Sequence, residues 1–199
     1  MNLGELFRPL ESLSNLDPVG DAIQKKLSAI LDTTPLGGLL RGDWLGHHIH
    51  PALVTVSAGS LFGASVLDFT GEPAAARRLM GFGLATAPPV LWTGWADWST
   101  LDQAQRRVGL VHVASNATGL SFLLASYLRR RQTTDGAARL LSVLGLAAIG
   151  AGGAIGGHLV FSQGARVGEG ADGSPAGAAY DPAQVPTELE KASGRHSAV

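Results

Sequence analysis

Four apolar stretches separated by short polar links constrain this chain of 199 residues more than any other feature: 51–69, 78–96, 108–128 and 140–161. Each approaches or exceeds the ~18 apolar residues a helix needs to cross the hydrocarbon of a bilayer. A backbone in lipid must satisfy its own hydrogen bonds, and helices do so within one segment. Charged residues make up only 16% of the chain, against roughly 25% in soluble proteins, and they gather outside the four blocks. The expected fold is therefore all-α, an integral membrane four-helix bundle whose short links impose up-down-up-down connectivity. Such a chain is a multi-pass protein of a cell membrane, with the lipid bilayer as its first partner. Gly59 and Gly63 in the first span, and the pairs Gly152/Gly156 and Gly153/Gly157 in the fourth, are candidates for close helix contact. Pro88 and Pro89 remove backbone donors and should kink the second span.

The flanks differ in character. Residues 1–45 form an amphipathic N-terminal segment with one short helix, N-capped by Asp17 and opened by Pro18. Val19, Ile23, Leu27 and Ile30 take one face, and Asp21, Gln24, Lys25 and Lys26 the other. Such a helix caps the bundle or lies in the headgroup layer, and capping is preferred; Pro35, Gly37 and Gly38 should break the chain before Trp44. Residues 46–163 hold the bundle. Residues 164–199, rich in Gly, Ala, Ser and Pro, are expected to be a disordered tail. The opening residues lack a basic, then apolar, then small-residue pattern, so no signal peptide is expected and insertion falls to the later helices.

Composition also narrows the chemistry. A net charge of -1 with a pI near 6.6 and no basic stripe excludes a nucleic-acid surface. The absence of cysteine removes disulfides, thiolate metal sites and covalent haem attachment, so any metal must be held by His or carboxylate.

Alternating direction brings the starts of spans one and three to the same end as the finishes of spans two and four. Onto this histidine end fall His47, His48 and His50 in the string GHHIHPALV at 46–54, with Pro51 as the first helical position, then Asp97, His112 and His158. Only His196 lies elsewhere. His112 shares its helical face with Ser115, Asn116, Gly119 and Ser126, which turns that face into the bundle. Ala147, Ala151 and Ala154 are expected to line the face ending at His158.

Ionisable groups in spans are costly without a task, so these histidines are read as a ligand cluster; the alternative is tight packing, each bonded to a neighbour's backbone. A b-type haem would take two axial ligands among His50, His112 and His158, with His50 and His112 facing each other across a diagonal of the bundle and Asn116 beside His112. Arg106 and Arg107, with Arg41 and Arg166, would meet its propionates. A zinc site would use the three histidines, with Asp97 as base or second partner. Trp44, Trp92, Trp95 and Trp98 read as an interfacial belt. Asp68, at the far end, should pair with Arg77, Arg78 or Arg139. Far-end arginines near the spans outnumber those at the histidine end, which favours an extracytoplasmic histidine end.

The pieces GHHIHPALV at 46–54, VLDFTG at 66–71, GWADW at 94–98, RRVGLVHVASN at 106–116 and GGHLVFSQG at 156–164 together resemble the bacterial predicted-membrane-protein family catalogued as domain of unknown function 2231. The likeness covers most of residues 17–167. It implies a bacterial cell-membrane protein, and the layout is also similar to that of small four-helix b-type cytochromes. Many members of the family are linked to a Rieske iron–sulfur domain; with no cysteine up to Val199, a Rieske-type or other redox partner is expected to be a separate protein. The function expected is haem b binding between transmembrane helices in membrane electron transfer. The alternatives are a His-ligated zinc-dependent membrane hydrolase and a helical membrane scaffold without catalysis.

Overall fold

The computed structural model describes residues 3–165, which form seven α-helices. Three short ones lead: α1 (Leu3–Glu11), α2 (Asp17–Leu31) and α3 (Pro35–Arg41). Four long ones follow: α4 (His50–Phe69), α5 (Pro73–Trp98), α6 (Gln103–Arg129) and α7 (Gly136–Phe161). By length and apolar content α4, α6 and α7 suffice to cross a membrane. The fourth expected span, α5, is long enough, but Pro88, Pro89, Trp92, Trp95 and Trp98 dilute its apolar run.

Capping chemistry sets the helix starts. Asp102 accepts from the Gln105 backbone at 2.9 Å while the Gln105 side chain accepts from the Asp102 backbone, a reciprocal box that opens α6. Asp135 caps α7 through the Ala138 N–H at 3.0 Å, and Pro73 opens α5 where its missing donor costs nothing. Pro51 is the second residue of α4 rather than the first, since His50 already has helical backbone. α5 continues as helix through Pro88 and Pro89 to Trp98.

The leading segment departs from expectation. It holds three helices instead of one. Pro35 starts α3 rather than breaking the chain, Gly37 and Gly38 lie inside it, and Gly42 ends it in the left-handed region at φ 91°. Asp17 is the first residue of α2, not its cap, because its carboxylate turns to Arg107.

α4 packs along α5 and α6 along α7, each pair antiparallel; contact between the pairs is narrower. In the first pair Ser57 Oγ donates to Gly83 O at 2.8 Å. In the second Ser115 Oγ donates to Ala148 O at 2.8 Å and Ser126 Oγ to Ala138 O at 2.6 Å. Backbone meets backbone at Gly119 and Gly145, where a Cβ on either would meet the other's carbonyl oxygen at 2.7 or 2.9 Å. Only glycine allows it. Gly152 and Gly156 also face α6, whereas Gly153 meets nothing within 4 Å. Ala147, Ala151 and Ala154 are exposed, so the alanine stripe points away from the histidines rather than lining a slot. Carbonyl-to-backbone contact demands glycine, and alanine is left for the outer face.

One apolar cluster, Leu61, Ala64, Met80, Leu123 and Leu146, joins the two pairs in the interior. A second at the histidine end, built on Trp98, Leu101, Val108, Ile155 and Leu159, is covered by Phe7 and Leu10 of α1 and by Ile23 and Leu27 of α2. The amphipathic segment therefore caps the helix ends. Trp98 belongs to this cluster and not to an interfacial belt: it is 3% exposed and donates its indole N–H to Arg106 O at 3.1 Å. Trp44 and Trp92 are exposed, as a belt requires. At the far end Asp68 pairs with Arg130, not with Arg77, Arg78 or Arg139. Arg166, His196 and the tail expected to be disordered fall outside the described residues, apart from its first two positions, Gly164 and Ala165.

Candidate functional site

His50, the first residue of α4, places Nδ1 3.0 Å from Val90 O and 3.2 Å from Thr93 Oγ1 on α5. Thr93 donates its own hydroxyl proton to Pro89 O or Val90 O, so both atoms near His50 Nδ1 are acceptors. Nδ1 must then carry the proton. The other nitrogen, Nε2, keeps a lone pair and has no hydrogen-bond partner among the described residues. The ring lies against Gly94, where a Cβ would come 2.8 Å from Cε1.

His112 repeats the arrangement on the second helix pair. Its Nδ1–H donates to Gly152 O of α7 at 2.7 Å, and its ring lies against Gly156, where a Cβ would come 2.9 Å from Cε1. Asn116 donates to the His112 carbonyl at 2.9 Å and stands 3.2 Å from Nε2. Ser115, Asn116, Gly119 and Ser126 all meet α7, so the polar face of α6 points inward as its spacing requires. His50 lies within electrostatic reach of His112, Asp97 and His48. Bonding each histidine to a neighbour's backbone is what tight packing alone would give, yet it also orients imidazole for a metal. Ligating histidines commonly donate the second N–H to a carbonyl, which fixes tautomer and raises basicity.

His158 is turned elsewhere. Its Nε2 is 2.9 Å from Glu11 Oε1 of α1, its side chain is 4% exposed, and Phe7 packs on its ring with centroids 5.8 Å apart. Among the described residues no three His, Asp or Glu side chains converge where they could hold a metal ion. His50, His112 and His158 therefore do not form the expected three-histidine zinc set. His48 pairs with Asp97 through Nδ1 at 2.9 Å, and its buried Nε2 has no partner among the described residues; His47 is exposed and stands 3.2 Å from the His48 carbonyl.

The cations expected at haem propionates are committed to the cap. Arg107 grips Asp17 through two bonds of 2.6 Å and donates to Glu11 O at 2.8 Å. Arg106 bonds Asp21 at 2.8 Å and Leu101 O at 3.0 Å. Arg41 bonds Asp32 at 2.7 Å. The hydrogen bonds from Arg107 hold the Asp17 carboxyl below its ordinary value, and Arg129 does the same to Asp135 beyond the end of α6. Asp17 and Asp21 of α2 hold Arg107 and Arg106 because they recur on the face that meets α6.

Sequence reasoning missed Glu11 on His158 and the glycines that seat His50 and His112. For the glycines a signal existed: each lies four residues after the carbonyl that its histidine uses. No family model matches the chain, and neither the curated proteins nor the solved structures contain a match to it.

Proposed function

We propose that α4–α7 cross a bilayer as an up-down-up-down bundle, in a multi-pass protein of a bacterial cell membrane. This bundle binds haem b between its helices through His50 and His112, and the protein works in membrane electron transfer. The three helices of crossing length support the location. The observation that carries the cofactor is the matched setting of two imidazoles. Each has Nδ1–H bonded to a neighbouring carbonyl, each is seated on a glycine, and each has Nε2 as the remaining nitrogen.

A bound bis-imidazole haem supplies a one-electron iron couple. The chain's own residues hold the imidazoles in one tautomer and orient them through Val90 O and Gly152 O. Asn116 Nδ2 would leave His112 Nε2 on ligation and keep its bond to the His112 carbonyl. Arg106 and Arg107 retain the cap instead of serving propionates. His158 stays with Glu11. The electron partner is a redox protein, of Rieske or other type.

The test is the visible spectrum of purified protein before and after dithionite, with zinc analysis alongside. Haem absorbance that shifts on reduction, and is lost or strongly weakened in His112→Ala but not in His196→Ala, is expected. Colourless protein with stoichiometric zinc would favour the hydrolase, and colourless protein without metal the scaffold.

A further inference from the structure

A shift of 62 residues brings α4 into register with α6 and α5 into register with α7. Residues 75–85, AARRLMGFGLA, and 137–147, AARLLSVLGLA, agree at seven of eleven positions with no gap. The same shift maps His50 onto His112 and Gly94 onto Gly156. It also maps α5, Pro73–Trp98, to within one residue of α7, Gly136–Phe161.

Contacts obey the shift as well as letters do. His50 to Val90 O becomes His112 to Gly152 O. Leu61 packs on Gly83, where a Cβ would meet its Cγ at 2.8 Å; the mates Leu123 and Gly145 repeat this at 2.7 Å. Ser57 reaches Gly83 O, and its mate Gly119 abuts Gly145 O. The copies also differ: Val54 is the mate of Asn116, and Ala64 of Ser126. Tyr127 sits against Gly81 beneath Arg77. The mates Ser65, Val143 and Arg139 instead border a small cavity with Asp68, Phe69 and Ser142, because serine does not fill a tyrosine's place.

A residue that touches its own mate must lie on the axis relating two copies. Asp68 and Arg130 are mates and form the buried pair at the far end. Leu61 and Leu123, also mates, share one core cluster. The axis therefore runs along the bundle between α4 and α6, and at the histidine end it passes between His50 and His112.

We infer that α4–α5 and α6–α7 are two copies of one helical hairpin related by a pseudo-two-fold axis, and that His50 and His112 are the equivalent ligands of a single site on that axis. The ligand this geometry takes is a planar metal tetrapyrrole with one imidazole on each face, so the second clause rests on the haem proposal above. Gly94 and Gly156 become positioning residues: an added Cβ would push the ring off its carbonyl. The mate of His158 is Ala96, which leaves His158 outside the symmetric site.

The chain has no cysteine, so paired spin labels on cysteine substitutions of the full-length protein carry no background. Val56 and Thr118 are exposed mates, as are Phe82 and Leu144. A two-fold axis equates the 56–144 and 82–118 distances. Equality within the spread of the label is expected, and a difference beyond one helix diameter, ~10 Å, would overturn the duplication whatever is bound. In haem-loaded protein, electron paramagnetic resonance should show a low-spin bis-imidazole signal. His50→Ala and His112→Ala should each convert it to high spin, and His158→Ala should leave it. Gly94→Ala and Gly156→Ala should both shift the low-spin g values, with Gly153→Ala unchanged. A low-spin signal that survives His50→Ala or His112→Ala, or is lost in His158→Ala, would overturn the ligand pair while haem binding stands. Protein that takes up no haem removes the proposed function and the ligand pair together, and the label distances then decide the duplication alone.

Discussion

Replacing Asp68 with Asn should destabilise the protein as much as any single change at the far end. Arg130 donates to both Asp68 oxygens, through Nη1 at 2.7 Å and through Nη2, and also to Ser126 Oγ and Ser142 Oγ, each at 3.1 Å. The Arg130 side chain is fully buried and that of Asp68 is 6% exposed. In Asp68→Asn the guanidinium keeps only neutral acceptors and remains a buried charge. Removing one partner of such a pair costs ~3–5 kcal/mol, whereas replacing both by apolar groups of similar volume is often neutral. For a chain of this size each kcal/mol moves the midpoint by about 2–4 °C, so a fall of roughly 6–20 °C is expected. Thermal unfolding in detergent, followed by helical circular dichroism, measures it. Asp68→Leu with Arg130→Met should recover most of the loss. A single-variant midpoint within about 2 °C of the parent would refute the claim that this pair is sealed from water and joins the hairpins.

Three further outcomes follow from the packing. Gly145→Ala should cost ~1–3 kcal/mol in the same assay, because its Cβ would meet Leu123 and the Gly119 carbonyl, while Gly153→Ala, which meets nothing, should be neutral. The Asp17 carboxyl is held below its ordinary value of 3.8 by Arg107, so its tie between α2 and α6 is complete above 3.8 and is lost as pH falls through the lowered native value. Amide exchange in α2, corrected for intrinsic rates, should rise only in that acid range, and a rise between neutral pH and 3.8 would contradict the assignment. Cysteines at residue 5 and in the tail should react alike with an impermeant reagent in intact cells, since the four crossings proposed above would return the chain to its starting side; opposite accessibility would exclude them.

Much of the fold was legible because the apolar blocks and their polar stops are local signals. Arg129–Arg131 ends α6 and the Asp135 cap opens α7 close to where the letters change character. The inward face of α6 was legible too, since Ser115, Asn116, Gly119 and Ser126 recur at helical spacing. The cap was not. Arg107 meets Asp17 across 90 residues of sequence, and His158 meets Glu11 across 147, and no local pattern announces such pairings. The alanine stripe misled for a physical reason: α6 and α7 approach until backbone meets carbonyl at Gly119 and Gly145, a distance at which alanine no longer fits. The short helices α1 and α3 were hidden by Pro9, Pro35, Gly37 and Gly38, residues that mark breaks in longer elements; Pro35 opens α3, where its missing donor costs nothing, while Pro9 lies inside α1.

Haem content per chain tests the central claim most directly. Full-length protein, purified in detergent from cells with ample haem supply, should carry about one haem per chain, matching one ligand pair, with absorbance that dithionite shifts. Protein from the same cells that is colourless, with or without zinc, would contradict it.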